Sequence, residues 1–406
     1  MSEEETSAHH RRPAHRVRWQ PPQLRVGHDR EEHRQATWLE MFFDLVFVVV
    51  VAELANNLSR DVSMRGFAEF VLLFLPVWWA WMGAAFYSTR FDTDDLSHRL
   101  HTALQILAVA AMAANVHGGL RETSQGFALC YAAVRAILVH QYLRAGRAIP
   151  RARPLTNRYA RGFGIAVILW VASVFVPIPW RFALWAAAMA IDFGTPMLAG
   201  RLHSSLAPHS IHLPERFGLF TLIVLGNAVA SVIYGARTRA WGPWSILAAS
   251  LGVVIAFCIW WVYFDNLNGN AIRKARTQGR IASYQIWMYA HLPLVIGITM
   301  AGVGLQRILS ASPGTSGDAA RWLMCGGVAA AQVALGAIHI ATETERHPTW
   351  YASGWIFRFA GGASIVVVGL WGGDLRPAAV VGLLALVCLA QVLVDVPEHH
   401  HPATGD

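Results

Sequence analysis

The chain reads as an all-α polytopic membrane helix bundle of about twelve spans, arranged as two parallel six-helix repeats. Three observations predict this. Apolar residues make up 55% of the sequence and charged residues only 14%, against roughly 25% charged in a soluble domain. The apolar residues gather in runs of the length a bilayer demands, about 20 residues at roughly 1.5 Å rise each. The order of features in the first six runs also returns in the second six.

Residues 1–36 are polar and arginine-rich and lack the apolar core and cleavage site of a signal peptide. They are expected to form a disordered basic cytoplasmic arm resting on anionic lipid. A first half, 37–201, holds runs at about 38–58, 66–88, 100–118, 125–144, 160–178 and 181–200. A second half, 202–396, holds runs at about 215–235, 243–264, 281–304, 320–341, 351–371 and 377–396, before a His-containing tail, 397–406. Short linkers such as RAGRAIPRARPLTNR and DNLNGNAIRKARTQGR carry the Gly, Pro and charged residues, and tryptophans gather near run ends, where amphipathic rings favour the headgroup layer. Of the 33 Lys and Arg, 22 fall on the side of the N-terminal arm and 8 on the other. The positive-inside bias therefore places both termini in the cytoplasm of a multi-pass plasma-membrane protein.

The repeat is read from matched features. Glu40-Met-Phe opens the first run and Glu215-Arg-Phe the seventh. Trp78-Trp79, Tyr87 and Phe91-Asp92 are echoed by Trp260-Trp261, Tyr263 and Phe264-Asp265, and Arg99 and Arg280 follow at similar distances. Halves of six spans share an orientation, so their axis runs along the membrane normal.

Several classes of function drop out. The net charge of +8 lies in linkers, with no basic stripe interleaved with aromatics, so no nucleic acid is expected. Cys130, Cys258, Cys325 and Cys388 sit inside apolar runs without a CxxC neighbour, which implies neither disulfides nor a thiolate metal site. His9-His10, His209-x-x-His212 and His399 to His401 lie in linkers or tails with no carboxylate or thiolate to complete a metal set. HExxH, GxSxG, GxxxxGK[ST] and GxGxxG are all absent, so no cofactor is expected and an enzyme is the less favoured reading, left open as an alternative.

What remains are polar groups that a membrane makes expensive. The run WLEMFFDLVFVVVVAELANNL carries Glu40, Asp44 and Glu53, and a carboxylate at span centre costs about 2.5–3.5 kcal/mol on insertion scales. Glu40 and Asp44 are four apart and share a helical face toward a cytoplasmic vestibule, while Glu53 lies on the opposite face with Asn57, toward a second polar pocket. The bland reading makes Glu40 a helix-start carboxylate and Asp44 the satisfied partner of an arginine. Arg135, mid-span, and Arg358 are the available counter-charges for Asp44, Glu53 or Asp192. Asp192 is followed by Gly194 and Pro196, the pattern of a broken helix at an ion site or of a plain proline kink. Adjacent residues diverge on a helix, so Glu215 and Arg216 are expected to pair with other elements rather than each other. Asn227 reads as a ligand or as packing glue. His291 and His339 are proton-handling candidates weighed against ordinary hydrogen-bonded histidines.

WLEMFFDLVFVVVVAEL, PERFGLFTLIVLGNAVAS, WWVYFD and YAHLPLVIGI together resemble the bacterial low temperature requirement A family of membrane proteins, over residues 36 to 396. The resemblance implies that the family's acidic positions fall on Glu40, Asp44, Glu215 and Asp265, with Arg216 and His291 alongside. Family members usually read L-G-E in the seventh span, whereas this chain reads Leu225-Gly226-Asn227, which removes a titratable group. The leading expectation is a transporter or channel-like carrier with a polar site between the halves. In it Asp44 and Glu53 bind a cation, proton or amine-bearing solute, His291 and Asp192 assist, and Arg135 tunes them. The alternatives are a membrane-embedded, lipid-modifying enzyme or a non-catalytic scaffold. Expected partners are the lipid bilayer, a small solute or ion, and a second copy of the chain.

Overall fold

The computed structural model describes residues 20–24, 37–92, 95–199, 202, 206, 211–237, 242–267, 270–311, 317–343 and 354–395. Twelve long helices coincide with the apolar runs. They are α1 Trp38–Arg60, α2 Met64–Arg90, α3 Leu96–Val116, α4 Ser124–Ala148, α5 Arg153–Ser173, α6 Trp180–Met197, α7 His212–Arg237, α8 Pro243–Asp265, α9 Ile281–Ser310, α10 Asp318–Thr342, α11 Gly354–Trp371 and α12 Pro377–Asp395. A short helix, Asn270–Gln278, precedes α9. Among the described residues nine helices are long and apolar enough to cross a membrane; α1, α5 and α6 stand outside that set and carry charged side chains.

Local chemistry sets the helix starts. Thr37 caps α1 by accepting the Glu40 N–H at 3.2 Å, and the Glu40 carboxylate accepts the Thr37 N–H at 2.8 Å in return. That reciprocal box satisfies two donors a helix start would leave open. Ser63 and Asp95 cap α2 and α3 in the same way, accepting the N–H of Gly66 at 3.2 Å and of His98 at 2.9 Å. Pro154 and Pro243 stand in the first turns of α5 and α8, where a missing N–H costs nothing.

The two groups of six share several neighbour pairs and differ in others, since α8 also packs along α12 without an equal contact between α2 and α6. Helix α1 packs on α2 and α3, α3 on α4, α4 on α5 and on α2, and α5 on α6. Likewise α7 packs on α8 and α9, α9 on α10, α10 on α11 and on α8, and α11 on α12. Between these groups of six, α1 and α2 each touch α7 and α9. The tightest crossing is α9 on α10. A Cβ at Gly297 would fall 2.5 Å from the Gly327 carbonyl oxygen, and one at Gly304 would fall 2.5 Å from the Met324 nitrogen. Small residues admit that approach, as membrane helix pairs require. Outward-facing Trp38, Trp180, Trp244 and Trp371 lie at helix ends, the depth of a membrane interface.

Five residues of the arm expected to be disordered are placed, which corrects that part of the reading. Gln23–Leu24 (β1) pairs antiparallel with Phe91–Asp92 (β2), Leu24 opposite Phe91. The Gln20 N–H donates to Asp95 Oδ2 at 3.2 Å, and Arg144 donates to both the Gln20 carbonyl, at 2.7 Å, and Asp95 Oδ2, at 2.6 Å. The chain thus straps across the start of α3 and the end of α4. The remainder of the arm and the tail 397–406 lie outside the described residues.

Candidate functional site

The site is built on the first turns of α1 and α7. Glu40 and Asp44 are one helical turn apart, and both face Arg216 in the first turn of α7. Arg216 Nη2 donates to Asp44 Oδ1 at 2.5 Å and Nη1 donates to Ser88 Oγ at 2.9 Å. Nη1 also lies 3.7 Å from Glu40 Oε1. Trp81 of α2 donates its indole N–H to the same Asp44 oxygen at 2.8 Å. Asp44 and Arg216 are 1% and 2% exposed, so three helices converge on an ion pair out of water. Truncating one member of such a pair costs about 3–5 kcal/mol. The pair is incompletely satisfied: Asp44 Oδ2 and Arg216 Nε have no hydrogen-bond partner among the described residues.

A histidine completes the cluster. His212, the first residue of α7, is buried, with Nε2 3.5 Å from Glu40 Oε1 and Nδ1 3.6 Å from Glu215 Oε2. Beside it opens a cleft bounded by Glu40, Ser88, His98, Thr102, Gln141 and Arg216. Its empty space is about 330 Å³, counted out to solvent, of which about 20 Å³ admits the centre of a water-sized body. One water needs about 10–15 Å³ on that measure, so the space suits a small ion or a water or two. Glu40 and Arg216 stand in the cleft wall, Asp44 lies against Arg216, and Glu215 lies against His212.

The other predicted residues lie elsewhere. Arg135 of α4 bonds Asp192 of α6 at 2.6 Å, and Tyr131 donates its hydroxyl to the second Asp192 oxygen at 2.6 Å. Both charges are fully buried. The Arg135 guanidinium stacks 4.0 Å from the Phe163 ring centre, and a Cβ at Gly83 would fall 2.6 Å from Arg135 Nη1. Arg135 therefore serves Asp192, and the counter-charge of Asp44 is Arg216. Helix α6 runs unbroken past Asp192 and through Pro196. Arg358 donates to the Gln391 carbonyl at 3.1 Å and to its side-chain oxygen at 3.0 Å.

His291 lies under an aromatic layer, 4.6 Å from Phe217 and 4.8 Å from Trp287 between ring centres. Its Nδ1 is 2.7 Å from the Trp287 carbonyl, which can only accept, so Nδ1 carries the proton and Nε2 accepts from the Tyr263 hydroxyl at 3.1 Å. Both nitrogens are occupied. Glu53 is half-buried and makes no hydrogen bond or ion pair among the described residues. Its expected partner on that face, Asn57, instead donates to the Val116 carbonyl at 2.6 Å, tying α1 to the end of α3. The Asn227 amide nitrogen is buried without a partner. The His339 ring packs on Gly354, where a Cβ would fall 2.9 Å from it.

Sequence reasoning missed Ser88, Trp81, Thr102 and Gln141, which nothing in their helices distinguishes from packing residues. It also left His212 in a linker, although His212 and Glu215 are three apart and a helix starting there puts them on one face.

The family described as bacterial low temperature requirement A protein (LtrA) matches residues 35–396. An uncharacterized protein of Rhizobium meliloti (strain 1021) is 27% identical over 292 residues, covering 67% of this chain and 69% of its own length.

Proposed function

The chain belongs to the bacterial low temperature requirement A family, and from that premise we propose that it is a carrier or channel-like protein for a small cation. Its site is the cleft bounded by α1, α2, α3, α4 and α7. One observation carries the reading. The Asp44–Arg216 pair joins the first group of six helices to the second, and its arginine lines, together with Glu40, a cleft with space for a small ion. Intramembrane carboxylates that face inward mark ion pathways. The surplus of carboxylate over arginine favours a cation over an anion, and the size of the space disfavours a large organic solute.

The neighbour pairs that the two groups of six share support two parallel six-helix halves related by an axis along the membrane normal, with α1 against α7 at that axis. The arginine bias of the linkers supports cytoplasmic termini in the plasma membrane. The cleft then opens toward the cytoplasm, and the pair closes the path above it.

Asp44→Asn tests the proposal. Asparagine still accepts the Trp81 N–H but carries no charge. Purified protein in liposomes, assayed with potassium, sodium and proton gradients in turn, should lose flux of the carried ion by about tenfold or more, which is about 1.4 kcal/mol or more on the barrier. Circular dichroism should stay helical. Flux at the wild-type level for each ion would remove Asp44 from the path.

A further inference from the structure

The elbow between α4 and α5 gathers arginine without acid. From Glu122 to Asp192 the sequence has no aspartate or glutamate in between. Within that stretch Arg147, Arg151, Arg153, Arg158 and Arg161 are all exposed. Arg153 turns back to donate to the Gly146 carbonyl at 3.0 Å and fastens the elbow. The other four make no hydrogen bond or ion pair among the described residues.

Two of these arginines share a face with side chains that belong in lipid. On α5, Arg158, Arg161, Ile165 and Ile168 follow at spacings of three, four and three, which keeps them on one stripe. Ile165 is 50% and Ile168 66% exposed, whereas Tyr159, Phe163, Ala166 and Trp170 of the same helix are buried against the bundle. Helix α5 packs on α4, which is long and apolar enough to cross a membrane, so the isoleucines meet hydrocarbon. At roughly 1.5 Å rise per residue, Arg161 and Arg158 stand about 6 and about 10 Å nearer the elbow than Ile165. That offset is about the thickness of one headgroup layer.

From this stripe we infer that the α4–α5 elbow binds an anionic phospholipid, with the phosphate on Arg158 and Arg161 and an acyl chain along Ile165 and Ile168. Guanidinium groups bind phosphate through paired N–H donors, and basic clusters just outside a span draw anionic lipid. Arg147 and Arg151 add charge from the elbow. A second copy of the chain suits the stripe less, because a two-fold contact would set arginine against arginine. A soluble phosphate would meet the arginines and leave the isoleucines unused. The inference needs only α4 and α5 in a bilayer and is independent of the cation path proposed above.

Photoactivatable lipid tests it. The full chain is placed in phosphatidylcholine nanodiscs that carry a small fraction of either phosphatidylglycerol or phosphatidylcholine with a diazirine in one acyl chain, and the labelled peptides are mapped by mass spectrometry. The peptide holding Ile165 and Ile168 should take phosphatidylglycerol in preference to phosphatidylcholine. Arg158→Gln with Arg161→Gln should lower that preference by about tenfold or more, at about fivefold for each arginine. Should the double variant fail to fold, salt gives the answer in wild type. Raising it from about 0.1 to about 1 M shortens the screening length from about 10 to about 3 Å and should lower the preference too. Equal labelling by the two lipids in wild type overturns the inference, and so does a preference unchanged by the double substitution or by high salt. A peptide that stays unlabelled while neighbouring helices are labelled would mean that protein covers the stripe, which also overturns it. Loss of the preference on adding inorganic phosphate, with sulfate at equal ionic strength leaving it intact, would make this a soluble-anion site and overturn the lipid.

Discussion

Arg135 and Asp192 show how much one residue's surroundings decide. Arg135 spends one end on Asp192 and lays its face on Phe163, and Asp192 receives Tyr131 on its other oxygen. Both charges are fully buried, and Arg135 Nε and Nη1 have no hydrogen-bond partner among the described residues. A pair so enclosed staples α4 to α6. Asp192→Asn or Arg135→Met alone should destabilise the protein by about 3–5 kcal/mol, because each leaves a buried charge without its mate, whereas Arg135→Met with Asp192→Leu should recover most of that loss. Thermal unfolding of the three variants in detergent measures it. Ion flux through the refolded double variant should match wild type; a flux defect there would return this pair to the transport path. The sequence had put Arg135 beside three carboxylates without choosing among them. The choice is made by Gly83 and Phe163, which shape a slot for the guanidinium on the α6 side, and neither residue announces that role in the sequence.

At the scale of elements, most of the fold was legible. Twelve apolar runs coincide with twelve long helices, nine of which, among the described residues, are long and apolar enough to cross a membrane, and caps such as Thr37 and Asp95 sit where the runs begin. The strap of residues 20–24 was not legible, since its affinity comes from Asp95 and Arg144, which belong to other elements. Burial alone would raise the Asp95 carboxyl, but the His98 N–H, the Arg144 guanidinium and the Gln20 N–H outweigh it and hold the group below the usual carboxylate range. A folded-state value below the unfolded one, about 3.9 for aspartate, means the strap contributes stability above that pH. The contribution is lost as pH falls through the lowered folded value. Hydrogen-exchange protection at Gln23 and Leu24, taken relative to the intrinsic rate at each pH, should therefore be high at neutral pH and fall on acidification. Asp95→Asn should give low protection at both. Protection in wild type that ignores pH would show that the β pairing alone holds the strap.

For the whole molecule, the telling contact is the longest in sequence. Asp44 and Arg216 are 172 positions apart, and no periodicity in either helix says that they meet. The repeat hinted at it, because Glu40 and Glu215 open corresponding helices, but a repeat predicts which helices neighbour the axis and not which side chains cross it. A double-mutant cycle on Asp44→Asn and Arg216→Gln distinguishes a joint from a functional centre. Each single change leaves the other group charged and buried and should cost about 3–5 kcal/mol. The double change removes both charges, so its cost should fall short of the sum, with a coupling energy of about 0.5–3 kcal/mol. Flux should behave otherwise. If the pair only fastens the two groups of helices, the double variant regains transport along with stability. If Asp44 meets the carried cation, stability returns and transport does not, because an amide cannot supply the charge the ion needs. The cation proposal requires the second outcome, measured as folded, helical double-variant protein that leaves an ion gradient across liposomes intact.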